Sequence, residues 1–138
     1  MNNSLLITIL IISFVTILFL LIAIQNRKNT YKKKERILDD LQTLKSCTTN
    51  STPSERVVTI MKLDNLLSKA FQYHYGNDRS CSDNLKQSRK MFKRDNYQNL
   101  WDVHKLRNSV VHEEAEISES DIKKAYDIYN FSIRKILK

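Results

Sequence analysis

Apolar and polar positions follow two different regimes along this chain. From Leu5 to Ile24 the sequence is a run without a charge, interrupted only by Thr8, Ser13 and Thr16. About twenty helical residues at about 1.5 Å each cover about 30 Å, the thickness of a bilayer's hydrocarbon core, so the run predicts one membrane-spanning helix. Beyond Tyr31 the apolar residues return every three or four positions, which is the period of amphipathic helices. Ile37, Leu38, Leu41 and Leu44 continue a helix out of the apolar run, and Cys47 to Ser51 reads as a short polar linker. Thr52-Pro53-Ser54-Glu55 has the cap, the first-turn proline and the glutamate of a capping box. The helix it opens turns Val57, Ile60, Met61, Leu63, Leu67, Ala70 and Phe71 inward. It ends near Tyr75, with Gly76 suited to the left-handed position beyond. A helix from about Ser82 to Arg94 offers only Leu85, Met91 and Phe92 as apolar residues. Asp95-Asn96 then turns into a helix whose Leu100, Val103, Leu106, Val110 and Val111 share one face, ending at His112. Ser118 to Asp121 repeats the capping-box pattern before a stripe of Ile122, Ala125, Tyr126, Tyr129, Ile133, Ile136 and Leu137. The two tyrosines are expected in the core with their hydroxyls reaching its rim.

The expected fold is therefore all-α: an N-terminal single transmembrane helix followed by a small four-helix bundle. Residues 1–24 form the tail and span, 25–51 a basic juxtamembrane helix and linker, and 52–138 the helical domain. One Gly and one Pro in 138 residues agree with helices rather than a turn-rich sheet. A cleaved signal peptide would want a basic start, a shorter apolar core and a small-residue cleavage site. Met1 to Ser4 and Ala23-Ile24-Gln25 supply none of these, so the run reads as a retained anchor in the cell membrane.

Charge refines this picture. Arg27, Lys28, Lys32, Lys33, Lys34 and Arg36 with Glu35 give residues 27–36 a net of +5. The other 17 Lys+Arg and 14 Asp+Glu contribute +3 to the total of +8. Most of the basicity is thus a collar beside the span. It places residues 5–36 in contact with membrane lipids, and the positive-inside rule puts the N-terminus outside and the C-terminal domain in the cytoplasm. The two cysteines, Cys47 and Cys81, lack metal-like spacing and read as reduced, semi-buried thiols.

Candidate chemistry gathers in the helix ending at His112. Arg107 falls inside its apolar face, where an unpartnered guanidinium is costly. Beside that face His104, Asn108 and His112 follow one another at four-residue intervals. A bland reading pairs Arg107 with a carboxylate such as Asp64 or Asp102 and makes it a tie between helices. The pattern Arg107-Asn108-x-x-x-His112, near the end of a helix with another to follow, resembles the HEPN superfamily (higher eukaryote and prokaryote nucleotide-binding domains). Trp101, His104-Lys105 and His112-Glu113 add to the likeness, which covers residues 52–138.

The resemblance implies metal-independent endoribonuclease chemistry, toxin-like or defensive, in which a ribose 2′-OH attacks the adjacent phosphate. His112 would act as base or acid, imidazole being the side chain that titrates near neutrality. Arg107 would hold the phosphate, and Asn108 would orient the phosphate or the histidine. His104, outside the family pattern, is a candidate second proton carrier. On a regular helix Arg107 and His112 point about 140° apart. Two arrangements would bring them together: the helix ends near Val110 and His112 swings back, or a two-fold homodimer through the Leu100–His112 region joins one chain's Arg107 to the other's His112. The resemblance implies both features, with a composite cleft between protomers. No cofactor is expected. His112 to Glu116 begins like a zinc-protease helix but has Glu116 in place of the second histidine, so no metal site is expected either. Neither a glycine-rich phosphate loop nor a Ser or Cys nucleophile with a recognisable base is visible in sequence. Lys86, Arg89, Lys90, Lys93 and Arg94 read as a solvated face or as a wall for an RNA backbone. The alternative to a nuclease is a non-catalytic helical module that dimerises or binds nucleotide or protein partners at the membrane.

Overall fold

The computed structural model describes residues 2–113 and 115–138. Five α-helices account for most of them, and the described residues include no strand. They are α1 (Asn3–Leu44), α2 (Pro53–Tyr75), α3 (Cys81–Gln87), α4 (Arg94–His112) and α5 (Glu119–Ile136). The all-helical class expected from the periodicity is what the chain adopts. Its contacts divide it into two units, with the boundary between Lys33 and Lys34 inside α1.

The first unit is the apolar part of α1. Its richest 18-residue window has a mean hydropathy of 3.2 and no buried residue, so it is long and apolar enough to cross a membrane. Leu5 through Ile24 expose large side chains around the whole circumference, which water disfavours and lipid accepts. The three hydroxyls in the run do not break this character. Thr8 donates to the Ser4 carbonyl at 2.8 Å, Ser13 to Leu10 at 2.9 Å and Thr16 to Ile12 at 2.7 Å, so each is satisfied within the helix.

The second unit, Lys34–Lys138, has its own apolar core. Ile37, Leu41 and Leu44 at the end of α1 join it, and the Tyr126 hydroxyl donates to the Leu41 carbonyl at 3.2 Å. α2 packs most extensively on α5, while α4 lies against both and α3 rests on α2. α2 starts where its capping box predicts: the Thr52 side chain accepts from the Glu55 N–H, and the Glu55 carboxylate accepts from the Thr52 N–H at 2.7 Å. That backbone hydrogen bond, with the Thr52 hydroxyl, holds the Glu55 carboxyl below its ordinary range. α5 opens with the same device, built from Ser118 and Asp121. Its predicted stripe from Ile122 to Leu137 is buried throughout.

Several local expectations are corrected. Met61 is exposed, because Ile60, Leu63 and Leu67 already fill the α2 face that meets α5. The segment read as one helix to Arg94 stops at Gln87. A short 3₁₀ turn, Ser88–Met91, follows, and Phe92 enters the core from extended backbone before α4 begins at Arg94. Asp95 and Asn96 are therefore the first turn of α4 rather than a connection. Cys47 is exposed rather than semi-buried, and both thiols are free. The tyrosine hydroxyls of α5 stay inside the core, each on a buried acceptor.

Gly76 ends α2 at φ 60°, ψ 36°, its N–H donating to the Gln72 carbonyl. A Cβ there would meet nothing within 4 Å, so only backbone strain opposes a side chain. Gly76→Ala is expected to cost about 1 kcal/mol in urea unfolding, and Gly76→Asn less, since asparagine tolerates the left-handed region.

Candidate functional site

The period that sends Leu100, Val103 and Val110 of α4 into the core also carries His104 inward and leaves Arg107 half-buried beside it. Both meet Asp64 of α2, a carboxylate only 6% exposed. Asp64 lies one position round from Leu63 and three before Leu67, so packing of the α2 apolar face draws it inside. A buried carboxylate is costly unless its oxygens receive donors and counter-charge. Asp64 has both. Its Oδ1 accepts from His104 Nδ1 at 2.8 Å and from the Tyr129 hydroxyl at 3.0 Å, with the Cys81 thiol at 4.0 Å. Arg107 Nε stands 3.7 Å from Oδ2, too far for a hydrogen bond, and is otherwise a buried donor without a partner. The interaction is therefore a charge contact.

The second nitrogen of His104 is also engaged: Nε2 lies 3.0 Å from Ser82 Oγ on α3. Because a carboxylate only accepts, Nδ1 carries the proton it donates to Asp64. In the neutral ring Nε2 then accepts from the Ser82 hydroxyl. Trp101 packs against the imidazole with the ring planes at 75° and a ring separation of 5.8 Å. Burial, first, and then the Asp64 charge and hydrogen bond push the Tyr129 hydroxyl well above its ordinary range, so it remains a donor. Burial and then Asp64 likewise push the Cys81 thiol up, against a smaller opposing pull from Arg107. Cys81 is thus a thiol rather than a thiolate and no nucleophile. Ligand atoms of Asp64, Cys81 and His104 lie within 4.8 Å of one another, a metal-like trio. The Arg107 charge beside Asp64 opposes a cation there.

No family model, curated protein or solved structure matches the chain.

The four residues singled out in sequence fall into two environments. His104 is interior, with both ring nitrogens occupied. Arg107 leaves 27% of its side chain exposed, and its Nη1 donates to Asn108 Oδ1 at 3.0 Å. Asn108 is half-buried and His112 exposed. One turn apart, these two line an open groove of about 470 Å³ together with Asp102, Lys105, Leu106 and Ser109. Another hollow, of about 430 Å³ and lined by Cys47, Ser51, Val58 and Lys62 among others, shares no residue with this network.

α4 is regular through His112, and the Glu113 N–H closes it on the Ser109 carbonyl at 2.8 Å. The arrangement in which the helix ends near Val110 and His112 folds back is not formed. The carboxylate facing Arg107 is Asp64. Asp102 instead accepts from Gln98 Nε2 at 2.9 Å.

Sequence reasoning treated Asp64 only as a partner for Arg107, yet an acid between Leu63 and Leu67 on an inward face carries the same signal that marked Arg107. Tyr129 looked like plain core. Ser82 carries no sequence signal at all, since its only distinction is a histidine 22 residues later in the chain.

Proposed function

We propose that the chain is a membrane-anchored, HEPN-like, metal-independent endoribonuclease. The observation that carries this reading is the half-exposed Arg107 guanidinium, backed by the Asp64 carboxylate and hydrogen-bonded to Asn108, which shares an open groove with His112. A planar cation held in place, with 27% of its side chain exposed, suits a phosphodiester. A solvent-reachable imidazole one turn from Asn108 suits proton transfer. In this reading the two halves meet between chains, as the HEPN likeness implies: a two-fold homodimer through the Leu100–His112 region would set Arg107 of one copy against His112 of the other, an arrangement that a regular α4 favours.

In that cleft His112 takes the proton of the ribose 2′-OH as its oxygen bonds to phosphorus, the bond from phosphorus to the 5′-oxygen breaks, and the departing oxygen takes a proton from solvent water. The products are a 2′,3′-cyclic phosphate and a 5′-hydroxyl. Arg107 offsets charge on the phosphate oxygens, and Asn108 orients the guanidinium. His104 keeps its place in the interior and acts only through Asp64 and Ser82. The apolar part of α1 anchors the enzyme in the cell membrane, and the basic collar places the helical unit on the cytoplasmic face, where RNA is within reach.

A second reading has its own observation. Asp64, His104, Arg107 and Tyr129 join α2, α4 and α5, so Arg107 also serves as a tie within a non-catalytic module that dimerises or binds partners at the membrane. One experiment separates the two. The full-length chain in detergent is incubated with total RNA in excess chelator, beside Arg107→Ala and His112→Ala, and product ends are analysed. The nuclease reading expects cyclic phosphates from the wild type and from neither variant. The module reading expects no cleavage, little effect of His112→Ala, and altered stability or dimerisation in Arg107→Ala.

A further inference from the structure

We propose that Ser82 is an activated nucleophile, with His104 as its general base and Asp64 as the carboxylate that orients the base, acting on activated carboxylic esters. This site shares Asp64 with the Arg107 contact but uses its other oxygen, and it does not rest on the ribonuclease reading. Serine nucleophiles are recognised by geometry and roles rather than by order in sequence, and three relations define them. The hydroxyl must hydrogen-bond one ring nitrogen, the other must donate to a buried carboxylate, and the hydroxyl must be reachable.

All three are met. Ser82 Oγ is 3.0 Å from His104 Nε2, and His104 Nδ1 is 2.8 Å from Asp64 Oδ1. Asp64 and His104 are 6% and 5% exposed, while Ser82 remains partly open to solvent. Each member is held by its own surroundings. The Tyr129 hydroxyl fixes the Asp64 oxygen that His104 uses, and Trp101 packs edge-on against the imidazole. α3 is seated by fully buried Leu85 and Asn84, and Asn84 exchanges amide hydrogen bonds with Asn77 at 2.9 and 3.0 Å. Purely structural packing would explain a buried histidine bonded to an aspartate. It does not require that the remaining nitrogen face a reachable hydroxyl.

The step balances without a cofactor. As Ser82 Oγ bonds to the acyl carbon, its proton passes to His104 Nε2, and the imidazolium faces Asp64. The proton then moves from Nε2 to the leaving alcohol oxygen as the C–O bond breaks, leaving an acyl-serine. Water, deprotonated by the same nitrogen, attacks the acyl carbon; the bond to Ser82 Oγ then breaks, Oγ takes the proton back from Nε2, and the acid is released.

The test uses the full-length chain in detergent and a fluorophosphonate probe, in which Ser82 Oγ forms a bond to phosphorus and fluoride leaves. The expected result is labelling at the Ser82 peptide by mass spectrometry, absent in Ser82→Ala and slowed about 100-fold or more in His104→Gln. Unfolding the wild type in guanidinium should abolish the label, a control that stands even if His104→Gln fails to fold. No label on the folded wild type, a label on another residue, or a Ser82 label that survives denaturant or a folded His104→Gln chain each overturns the proposal. In those cases the Ser82–His104 contact is a packing hydrogen bond only.

Discussion

Asp64→Ala is expected to destabilise the helical unit by about 3 kcal/mol or more, measured by urea unfolding followed through helical circular dichroism. The substitution removes the acceptor for the Tyr129 hydroxyl and the His104 Nδ1–H together, and both donors sit where water does not reach. It also leaves the Arg107 charge unopposed, although the exposed share of that side chain softens this contribution through solvent screening. Each stranded buried donor costs about 1–3 kcal/mol, which sets the scale. Asp64→Asn keeps one acceptor oxygen and the shape, so its loss should be smaller. A loss below about 1 kcal/mol for the alanine variant would show that these four side chains do not act as one network.

The second large effect concerns the composite cleft. Arg107→Ala and His112→Ala should each lower RNA cleavage by about 100-fold or more, because each removes a group that stabilises or transfers charge in the transition state. Mixed in equal amounts and allowed to exchange subunits, the two inactive variants should recover about one quarter of wild-type activity. About half of the dimers are then heterodimers, and each rebuilds one of its two clefts from an intact Arg107 and an intact His112. A site contained within a single chain gives no recovery on mixing. That outcome would return the chemistry to one protomer, which the divergence of Arg107 and His112 on a regular α4 opposes.

The folded unit bears on both results. Asp64 backs Arg107, so Asp64→Ala should also weaken cleavage by loosening the guanidinium. The denaturation series tells this indirect loss from the direct one, since His112 is exposed and its removal should leave stability unchanged. His112→Ala is therefore the cleaner probe of chemistry, and Arg107→Ala the variant in which stability must be checked beside activity.

Local rules were enough wherever the decision was local. Capping boxes at Thr52 and Ser118 start their helices because two backbone N–H groups are satisfied by side chains three residues apart. Gly76 ends α2 because a left-handed residue suits it best. The stripe of α5 was legible because burial follows a helical period, and the apolar run of α1 because it is long, apolar and without a charge. The Ser82–Arg94 region was misread because few apolar residues define its period. There the helix breaks at Ser88, and Phe92 enters the core from extended backbone.

By itself the sequence determined the helical class, the N-terminal run long and apolar enough to cross a membrane with the basic cluster after it, and α4 as the place where charge meets apolar surface. Only the tertiary structure decided that Asp64 is the carboxylate at the centre, that His104 lies inside with both nitrogens engaged, and that Ser82 stands at its outer nitrogen. Spacing along one helix fixes which residues share its face, because the backbone repeats. Which face meets which neighbour depends on how α2, α3, α4 and α5 pack together, and residues 22 to 65 positions apart in sequence have no common period to reveal it.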